Sequence, residues 1–317
     1  MEHRRLGHTQ LDVSAIGLGT WAMGATVETW GHVDDRESIA TIHYALDHGI
    51  NLIDTAPIYG LGHSEEVVGK AIRGRRSEVI LATKCGLLFS NSPDHQPQRC
   101  LSPQSVMREC EESLRRLQTD VIDLYFCHWP DPATPIRETM EVLTKLLHEG
   151  TIRAIGLSNF SCEQIAAARE FGPVHVLQPP FSMLARRAAD DLFPYCLEHE
   201  IAVLPYSPLV KGLLTGKFTA EDTFDDIRQH DPDFIGNRFH RNLRIVEALK
   251  EIAARYDKTV AQLAINWTCN FPGVTAPLIG AKRPTQLTEN LGGLGWELSD
   301  DDRARIDALI GGPADVT

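Results

Sequence analysis

Short apolar runs alternate with amphipathic runs along almost the whole chain. The apolar runs are rich in β-favouring residues, as in Asn51–Asp54, Val79–Lys84 and Val121–His128, and each breaks off at one ionisable residue. Strands that are buried on both faces of a sheet read as such near-continuous apolar runs. The runs between them carry apolar residues three or four apart, as in Asp34–His48, which predicts helices that pack on the sheet.

The alternation predicts eight strands, each followed by a helical segment. The predicted strands are Ala15–Gly19, Asn51–Asp54, Val79–Lys84, Val121–His128, Ile152–Leu157, Val174–Gln178, Ile201–Leu204 and Ala276–Ile279. The predicted helices are Asp34–His48, Ser64–Ile72 with Ser64 as N-cap, Ser102–Leu117, Pro135–His148, Ser161–Glu170, Arg187–His199, Asn242–Tyr256, Val260–Asn270, Pro284–Leu291 and Asp300–Leu309.

The count favours one architecture. Eight strand–helix units favour a closed (β/α)8 TIM barrel over an open doubly wound sheet, and Gly-x-Gly-x-x-Gly is missing from the first strand–helix turn. A small β-hairpin is expected in the first fourteen residues, a long loop at Leu209–Arg241 after the seventh strand, and extra helices near the end. No linker rich in Pro, Gly or Ser interrupts the pattern, so residues 1–317 are predicted to form one domain.

Composition narrows the class of partner. Hydrophobic residues make up 43% of the 317, and the net charge of −12 argues against non-specific binding to nucleic acid or an anionic membrane. The chain shows neither the apolar core of a signal peptide nor the ~18 consecutive apolar residues of a membrane span. Seven scattered cysteines without a C-x-x-C pair are interpreted as free thiols in a reducing cytoplasm, with no zinc site. We therefore expect a cytoplasmic protein that acts on a small molecule, in an oligomeric state that the sequence leaves open.

Ionisable residues at the strand ends point to one chemistry. The carboxyl ends of parallel strands share one face, so Asp54, Lys84 and His128 should converge there beneath Tyr59. A phenol titrates near ~10, and a nearby ammonium lowers that pKa, so we expect Lys84 to lower the pKa of Tyr59. Asp54 would hold Lys84 in place, and His128 would bind the substrate oxygen or relay a proton. Such a set suits protonation of a carbonyl oxygen while another group supplies hydride. A single residue of this kind is more often merely solvated, so the hypothesis depends on all four lying together.

Other strand ends carry groups that suit a nicotinamide nucleotide. The neutral polar groups apt for a carboxamide are Ser158, Asn159 and Gln178. Tyr206 could stack on a flat ring. Lys282 and Arg283 begin a helix, where the dipole and the side-chain charges attract phosphate. Hydrogen bonds at strand ends also tie down loops, so a purely structural interpretation of each residue stays open.

Several motifs together carry a family resemblance. They are Gly17-Leu18-Gly19-Thr20, Leu52–Ala56 with Tyr59-Gly60, Ala82-Thr83-Lys84, Asp120–Asp123 with His128, Ile155–Phe160, Tyr206–Leu209, Gly212–Lys217, and Gly280–Pro284 with Gln286, Glu289 and Asn290. The chain resembles the aldo-keto reductases along essentially its whole length. The last two motifs are most similar to the bacterial branch that contains the inositol-utilisation and general-stress reductases.

The resemblance implies an active site and a cofactor site. The implied catalytic tetrad is Asp54, Tyr59, Lys84 and His128, with Tyr59 as general acid in reduction and base in oxidation. The implied cofactor residues are Gly19, Thr20, Trp21, Asp54, Ser158, Asn159, Gln178, Tyr206, Ser207, Pro208, Leu209, Gly212, Lys217, Arg228, Gly280, Lys282, Arg283, Gln286, Glu289 and Asn290. Among them, the residues implied to hold the pyrophosphate as a strap are Ser207–Leu209, Gly212, Lys217 and Arg228. Those implied to hold the adenosine end are Lys282, Gln286, Glu289 and Asn290, with Lys282 and Arg283 on the 2′-phosphate of NADPH. NADPH is therefore expected over NADH, although Lys282 could instead pair with Glu289.

The expected substrate pocket is aromatic. It is formed by Trp21, Tyr59, His128 and Trp129, with further walls at Trp30, Leu87 and Asp233–Phe239 unless these side chains serve only in packing.

Three functional hypotheses follow. The first is an NADPH-dependent reductase of aldehydes or ketones, including sugar-like ones. The second is a nucleotide-binding, redox-sensing regulatory subunit similar to the potassium-channel β subunits. A metal-dependent barrel lyase or epimerase is disfavoured, because the sequence holds no His or carboxylate cluster at ligand spacing.

Overall fold

The computed structural model describes residues 1–24, 31, 33–89 and 97–311. The strands, in chain order, are β1 (His3–Arg5), β2 (Asp12–Ser14), β3 (Gly17–Gly19), β4 (Leu52–Asp54), β5 (Ile80–Cys85), β6 (Leu87–Leu88), β7 (Gln98–Arg99), β8 (Ile122–Cys127), β9 (Ile152–Ser158), β10 (Val176–Gln178), β11 (Ala202–Val203) and β12 (Leu278–Gly280). The α-helices are α1 (Asp35–Asp47), α2 (His63–Ala71), α3 (Pro103–Leu117), α4 (Ile136–His148), α5 (Cys162–Arg169), α6 (Leu192–Glu198), α7 (Gly236–Ala254), α8 (Val260–Cys269), α9 (Pro284–Leu291) and α10 (Asp300–Leu309).

Eight parallel strands form one curled sheet, in the order β11, β10, β9, β8, β5, β4, β3, β12. The two ends of that sheet meet at Tyr206, which forms parallel bridges to Pro180 on one side and to Leu278 on the other. The Leu278 N–H donates to the Pro205 carbonyl at 2.8 Å, which extends the same seam. The predicted (β/α)8 barrel is thereby confirmed.

The barrel interior is closed at its amino-terminal end. Inward-facing strand residues such as Leu52, Phe126 and Val176 form a buried cluster that also includes Leu6 and Val13 from the β1–β2 hairpin. Full burial of an apolar side chain of this size contributes roughly 1.5–3 kcal/mol. The predicted hairpin therefore acts as a plug, and the opposite end of the barrel is left for chemistry.

Two helix starts differ from the prediction. α2 begins at His63 after Gly62, a left-handed N-cap without a side-chain cap, so Ser64 is not the cap residue that we predicted. The Ser64 hydroxyl is buried instead, where it bonds Thr20 and Thr55. α7 begins at Gly236, six residues before the predicted start.

The predicted helix Arg187–His199 is split into a 3-10 turn, Arg187–Ala189, and α6. Pro194 explains the split, because proline lacks an N–H and is tolerated only near the start of a helix. The long loop after β11 likewise folds into 3-10 turns, Val210–Thr215, Ile227–His230 and Pro232–Phe234.

None of the helices in the described ranges is long and apolar enough to cross a membrane.

Candidate active site

Lys84 joins the carboxylate and the phenol of the predicted tetrad. It lies near the end of β5 beside Asp54, the last residue of β4. Its Nζ donates to Asp54 Oδ1 at 2.7 Å, to the Thr55 carbonyl at 2.8 Å and to Tyr59 Oη at 3.2 Å. With only 1% of Lys84 exposed, this ammonium has exchanged water for three protein acceptors.

His128 completes the group from the neighbouring strand end. It directly follows β8, and its ring meets the Tyr59 ring edge-on with the centroids 6.0 Å apart. Two hydrogen bonds hold its backbone, from its own N–H to the Cys85 carbonyl at 2.9 Å and from Asn159 Nδ2 to its carbonyl at 3.0 Å. The structure therefore places all four predicted tetrad residues around one space at the mouth of the barrel.

The protonation states follow from burial and from charge pairing. Burial raises the pKa of Tyr59 above its usual value, and the nearby Lys84 only partly opposes this. The expectation that the pKa of Tyr59 would be lowered is therefore wrong, because desolvation of the phenolate outweighs the ammonium. Burial alone would lower the pKa of Lys84, but Asp54 and Tyr59 more than offset it and raise that pKa. Burial, and then the charge of Lys84, lowers the pKa of His128 well below its usual range, so this imidazole is neutral.

Two glycines clamp the loop that carries Tyr59. A Cβ on Gly24 would lie 2.4 Å from the Tyr59 carbonyl oxygen, and one on Gly60 would lie 2.1 Å from the Gly24 carbonyl oxygen. Gly60 also has a φ of +63°, which L-residues rarely adopt. Nothing in the sequence pattern indicated that Gly24 would lie against Gly60.

The residues predicted for a carboxamide lie side by side at the ends of β9 and β10. The Ser158 hydroxyl donates to the Gln178 carbonyl at 2.9 Å, and Asn159 Nδ2 donates to Ser158 Oγ at 3.0 Å. The Tyr206 hydroxyl donates to Asn159 Oδ1 at 2.8 Å. Sequence reasoning missed one contact: Gln178 Nε2 donates to Asp54 Oδ2 at 2.9 Å, which links this group of residues to the tetrad.

The strap, residues 207–217, has an unusual backbone. Ser207, Val210, Lys211 and Gly212 all have φ between +47° and +93°, and Lys211 forms an ion pair with Asp231. Turns with such conformations direct successive N–H groups to one side and bind anions. Pro208 and Leu209 lie within the same stretch, so the strap has a shape that suits phosphate.

Three cations form a second feature, which we call the cation cluster: Lys217, Arg228 and Lys282. Arg228 forms an ion pair with Asp226, and its guanidinium carbon lies 5.0 Å from the Phe224 ring centroid. Burial, and then the charges of Arg228 and Lys217, lowers the pKa of Lys282. Burial and Arg228 likewise lower the pKa of Lys217. Asp226 opposes both shifts. Three clustered cations suit the phosphates of a dinucleotide.

The start of α9 forms the far end of this region. Gln286 Oε1 accepts from the backbone N–H of Lys282 at 2.8 Å and of Arg283 at 3.2 Å. Arg283 also pairs with Glu37 of α1 at 3.3 Å. Within the ranges that the structure describes, no ion pair joins Lys282 to Glu289, which is the alternative that the sequence left open. Asn290 is buried in the same helix.

Thr20, Gly19 and Gly280 line the mouth beside Asp54. Thr20 Oγ1 donates to the Asp54 carbonyl at 2.9 Å. Among the described atoms, a Cβ on Gly280 would meet the Gly19 carbonyl alone within 4 Å, at 4.0 Å. These bare glycines leave room for a ligand at the ends of β3 and β12.

The predicted substrate pocket is placed in part. The Trp21 ring centroid lies 6.3 Å from that of Tyr59. Trp129 follows His128 and lies beneath Arg99, whose guanidinium carbon is 4.9 Å from the indole centroid. Leu87 is largely buried in β6. Trp30 falls outside the described residues.

The segment Asp233–Phe239 is not a pocket wall. Phe234 and Phe239 are each 5% exposed and belong to the main apolar core, where they meet Phe224 with centroids 5.0 and 5.7 Å away. Of the two roles considered for this segment, packing is the one that the structure supports.

No group of three or more His, Cys, Asp or Glu side chains that could hold a metal ion occurs in ranges 1–24, 31, 33–89 and 97–311.

Comparisons with known proteins agree with this geometry. Residues 15–311 match the model of the aldo/keto reductase family. The chain is 47% identical to the aldo-keto reductase YhdN of Bacillus subtilis (strain 168), over 98% of this chain and 94% of that protein. It is 38% identical to the NADH-specific methylglyoxal reductase of Escherichia coli (strain K12), over 94% of each chain. Its fold matches the glycerol dehydrogenase AKR11B4 of Gluconobacter oxydans with a TM-score of 0.91 and 39% identity, over 99% of this chain and 98% of that one.

Proposed function

The chain belongs to the aldo/keto reductase family, whose members are NAD(P)H-dependent oxidoreductases, and from this we propose that it is an NADPH-dependent reductase of small aldehydes and ketones, including sugar-like ones. One observation carries the proposal: the buried Lys84 ammonium bonds both the Asp54 carboxylate and the Tyr59 phenol. That contact couples a fixed positive charge to a proton donor at the mouth of the barrel.

The residues act on the carbonyl oxygen. A bound nicotinamide supplies the hydride. Because burial keeps the pKa of Tyr59 high, its phenol is protonated at neutral pH and is ready to donate to the substrate oxygen. The neutral His128 can donate a hydrogen bond to the same oxygen, and Lys84 stabilises the phenolate that remains. In the oxidative direction, Tyr59 accepts the proton.

We assign the cofactor to the polar groups around the tetrad. Ser158, Asn159 and Gln178 hold the carboxamide in this proposal, and Tyr206 supports the nicotinamide ring. The strap holds the pyrophosphate together with the cation cluster. Gln178 has a second role, because its bond to Asp54 connects the carboxamide end of the site to the Lys84 network.

The preference for NADPH rests on the cation cluster. Within that cluster, Lys282 is the residue that we assign to the 2′-phosphate. Burial, and then the charges of Arg228 and Lys217, lowers the pKa of Lys282, and Asp226 opposes this shift, so a second phosphate beside Lys282 would relieve the remaining repulsion. A relative named as NADH-specific shows that members of the family differ on this point. Measuring the Kd of the purified protein for NADPH and for NADH tests the preference directly, and equal values would contradict it.

The tyrosine tests the mechanism. Tyr59→Phe removes the donated proton and leaves the ring in place, so turnover should be lost while the Kd for NADPH changes little. Tyr44→Phe is the matched control, because the Tyr44 hydroxyl bonds Thr288 on the outer surface. If the Tyr59→Phe enzyme keeps full carbonyl reductase activity, the assignment of the proton donor is wrong.

Steady-state kinetics of the native protein distinguish an enzyme from a regulatory subunit. A redox-sensing subunit could hold the same four residues and still turn over slowly. Steady-state reduction of simple aldehydes at rates typical of enzymes, about 1 to 1,000 per second, favours the reductase.

We also place the protein in the cytoplasm. All seven cysteines are free thiols, and Cys85 and Cys127 are buried beside the tetrad strands. Free thiols in this number fit a reducing compartment. Localisation of a tagged protein in intact cells would test the assignment.

A further inference from the structure

Arg99 lies at the rim of the proposed active site without a place in the mechanism. It belongs to β7, which pairs antiparallel with β6 in the register Leu87 to Arg99. Leu87 is only three residues beyond Lys84, so this short hairpin rises directly from the strand that carries the catalytic ammonium. This register places an exposed cation beyond the end of the strand that carries Lys84.

The partner of Arg99 comes from the other tetrad strand. The Arg99 guanidinium carbon lies 4.9 Å from the centroid of the Trp129 ring. Trp129 follows His128, and β5 and β8 pair side by side with Cys85 opposite Cys127. The Arg99–Trp129 contact therefore spans the two adjacent strand ends that hold Lys84 and His128.

A cation–π contact with an indole uses none of the N–H donors of the guanidinium. Those donors form a planar fork that matches two oxygens of a carboxylate or phosphate. A lysine in the same place would offer a point charge without that fork. The arrangement is thus suited to an acidic group that accepts two hydrogen bonds from one guanidinium.

The Asp131 carboxylate, which feels the charge of Arg99, accepts hydrogen bonds from other donors. Asp131 lies close enough for Arg99 to contribute to the lowering of its pKa. Its oxygens accept from the Leu101 N–H at 2.9 Å, the Ala133 N–H at 2.9 Å and the Thr134 hydroxyl. Within the described part of the chain, no carboxylate forms an ion pair with Arg99. Asp131 thus serves the loop after β8, and Arg99 retains its charge at the rim.

We infer that Arg99, held on Trp129, is a specificity-determining residue that binds an acidic group, carboxylate or phosphate, at the end of the carbonyl substrate away from the reacting carbon. The inference rests on the proposed function, because it concerns the substrate of that same site. It narrows the substrate class to aldehydes and ketones that carry a negative charge.

Matched substrates test the inference. The charged and neutral members are 4-carboxybenzaldehyde with benzaldehyde, succinic semialdehyde with butanal, and glyceraldehyde 3-phosphate with glyceraldehyde. The native enzyme should favour the charged member of at least one pair, and the carboxylate and phosphate pairs show which acid is bound.

The variant Arg99→Gln should lower kcat/KM for the favoured acidic substrate roughly 10- to 100-fold, mainly through KM, because a charge-assisted pair is lost. For the neutral partner the change should stay below about threefold, and the Kd for NADPH should not move. Arg99→Lys should recover part of the selectivity, since it restores the charge without the fork.

Two results would overturn the inference while leaving the proposed function intact: no preference for acidic substrates in the native enzyme, or equal losses for both members of a pair in Arg99→Gln. If the native enzyme reduces neither member of any pair, the proposed function fails and this inference fails with it.

Discussion

The tetrad and the cation cluster lie on the same end of the barrel but are built on opposite electrostatic plans. In the tetrad, a buried ammonium meets a carboxylate at 2.7 Å, so the charges of Lys84 and Asp54 compensate each other within the fold. In the cation cluster, Lys217 and Lys282 both feel the charge of Arg228, and both have a lowered pKa. The ion pair of Arg228 with Asp226 compensates the second region only in part, so we expect a bound anion to stabilise it further.

This difference matches the task that we propose for each region. Chemistry requires groups held in fixed geometry and fixed protonation states, which neighbouring strand ends provide. Binding and release of a charged dinucleotide require a site that the ligand itself completes. The strap and the cation cluster lie on loops and on a helix start, where such adjustment is easier.

The largest effect is expected from Lys84→Met, which removes the charge compensation within the tetrad. The substitution leaves Asp54 buried without its counter-charge, so we expect a loss of about 3–5 kcal/mol in the free energy of unfolding. Turnover should fall at least roughly 100- to 1,000-fold. Urea denaturation and steady-state kinetics measure the two effects.

The control is the double variant Lys84→Met with Asp54→Asn, which removes both charges. It should regain much of the lost stability and none of the activity. Native stability in the single variant would show that the pair is not compensated as we describe.

Gly24→Ala tests the geometry of the tetrad without touching its charges. The added methyl would meet the Tyr59 carbonyl oxygen at 2.4 Å, so the loop that carries the phenol must shift. A displacement near 1 Å can cost about 100-fold in rate, and we expect kcat to fall roughly 10- to 100-fold with the Kd for NADPH unchanged. Gly74→Ala is the control for a loss of stability alone: a φ of +78° makes alanine strained there, although the new methyl would meet no described atom within 4 Å, so kcat should not change. An unchanged kcat in Gly24→Ala would show that the close contact of Gly24 with the Tyr59 loop does not position the phenol.

Lys282→Ala addresses the cation cluster. Loss of one charge-assisted contact should raise the Kd for NADPH roughly 10- to 100-fold and change that for NADH less than about twofold. Arg283→Ala is the companion variant and should have the smaller effect, because Arg283 already pairs with Glu37. Equal weakening of both cofactors would contradict a 2′-phosphate contact.

Glu109 is a buried carboxylate that, unlike Asp54, is not paired with an ammonium among the residues that the structure describes, so it shows what burial does to a carboxylate whose charge is not compensated. It accepts from the Gly86 N–H at 2.9 Å and the Ser105 hydroxyl at 3.0 Å, and burial raises the pKa of Glu109 to about 7 from 4.5. The folded state thus favours the protonated acid, so this stabilisation is present below pH 4.5 and is lost as the pH rises through about 7.

Glu109→Gln stays neutral at every pH. Its Tm should exceed that of the native chain by about 2–4 °C at pH 8, with a much smaller difference at pH 5. Thermal unfolding at the two pH values measures this. A Tm difference that does not depend on pH would mean that the carboxyl does not titrate in this window.

The barrel and the residues at its strand ends could be predicted from the sequence, because strands buried on both faces appear as near-continuous apolar runs that stop at an ionisable residue. β4 ends at Asp54 as predicted, and β8 ends one residue before His128. The family motifs then added roles that the pattern alone could not supply.

What the sequence concealed lies in contacts between distant segments. Gln178 and Asp54 are 124 positions apart, and nothing in either stretch marks the bond between them. The upward shift of the pKa of Tyr59 depends on the desolvation of the phenol, which appears only when the fold surrounds it. The role of Phe234 stayed open for a similar reason, since exposed and packed aromatic residues look alike before the chain is folded.

The seam of the barrel has one further consequence. Ring closure there passes through the backbone of Tyr206, and the side chain of the same residue, whose hydroxyl donates to Asn159, is the one that we assign to the nicotinamide. A cofactor that rests on the Tyr206 ring therefore contacts the residue that closes the barrel. Its binding should reduce local opening of the strands that meet there. Amide hydrogen exchange at Tyr206 and Leu278 then becomes a local gauge of cofactor binding, readable without any turnover.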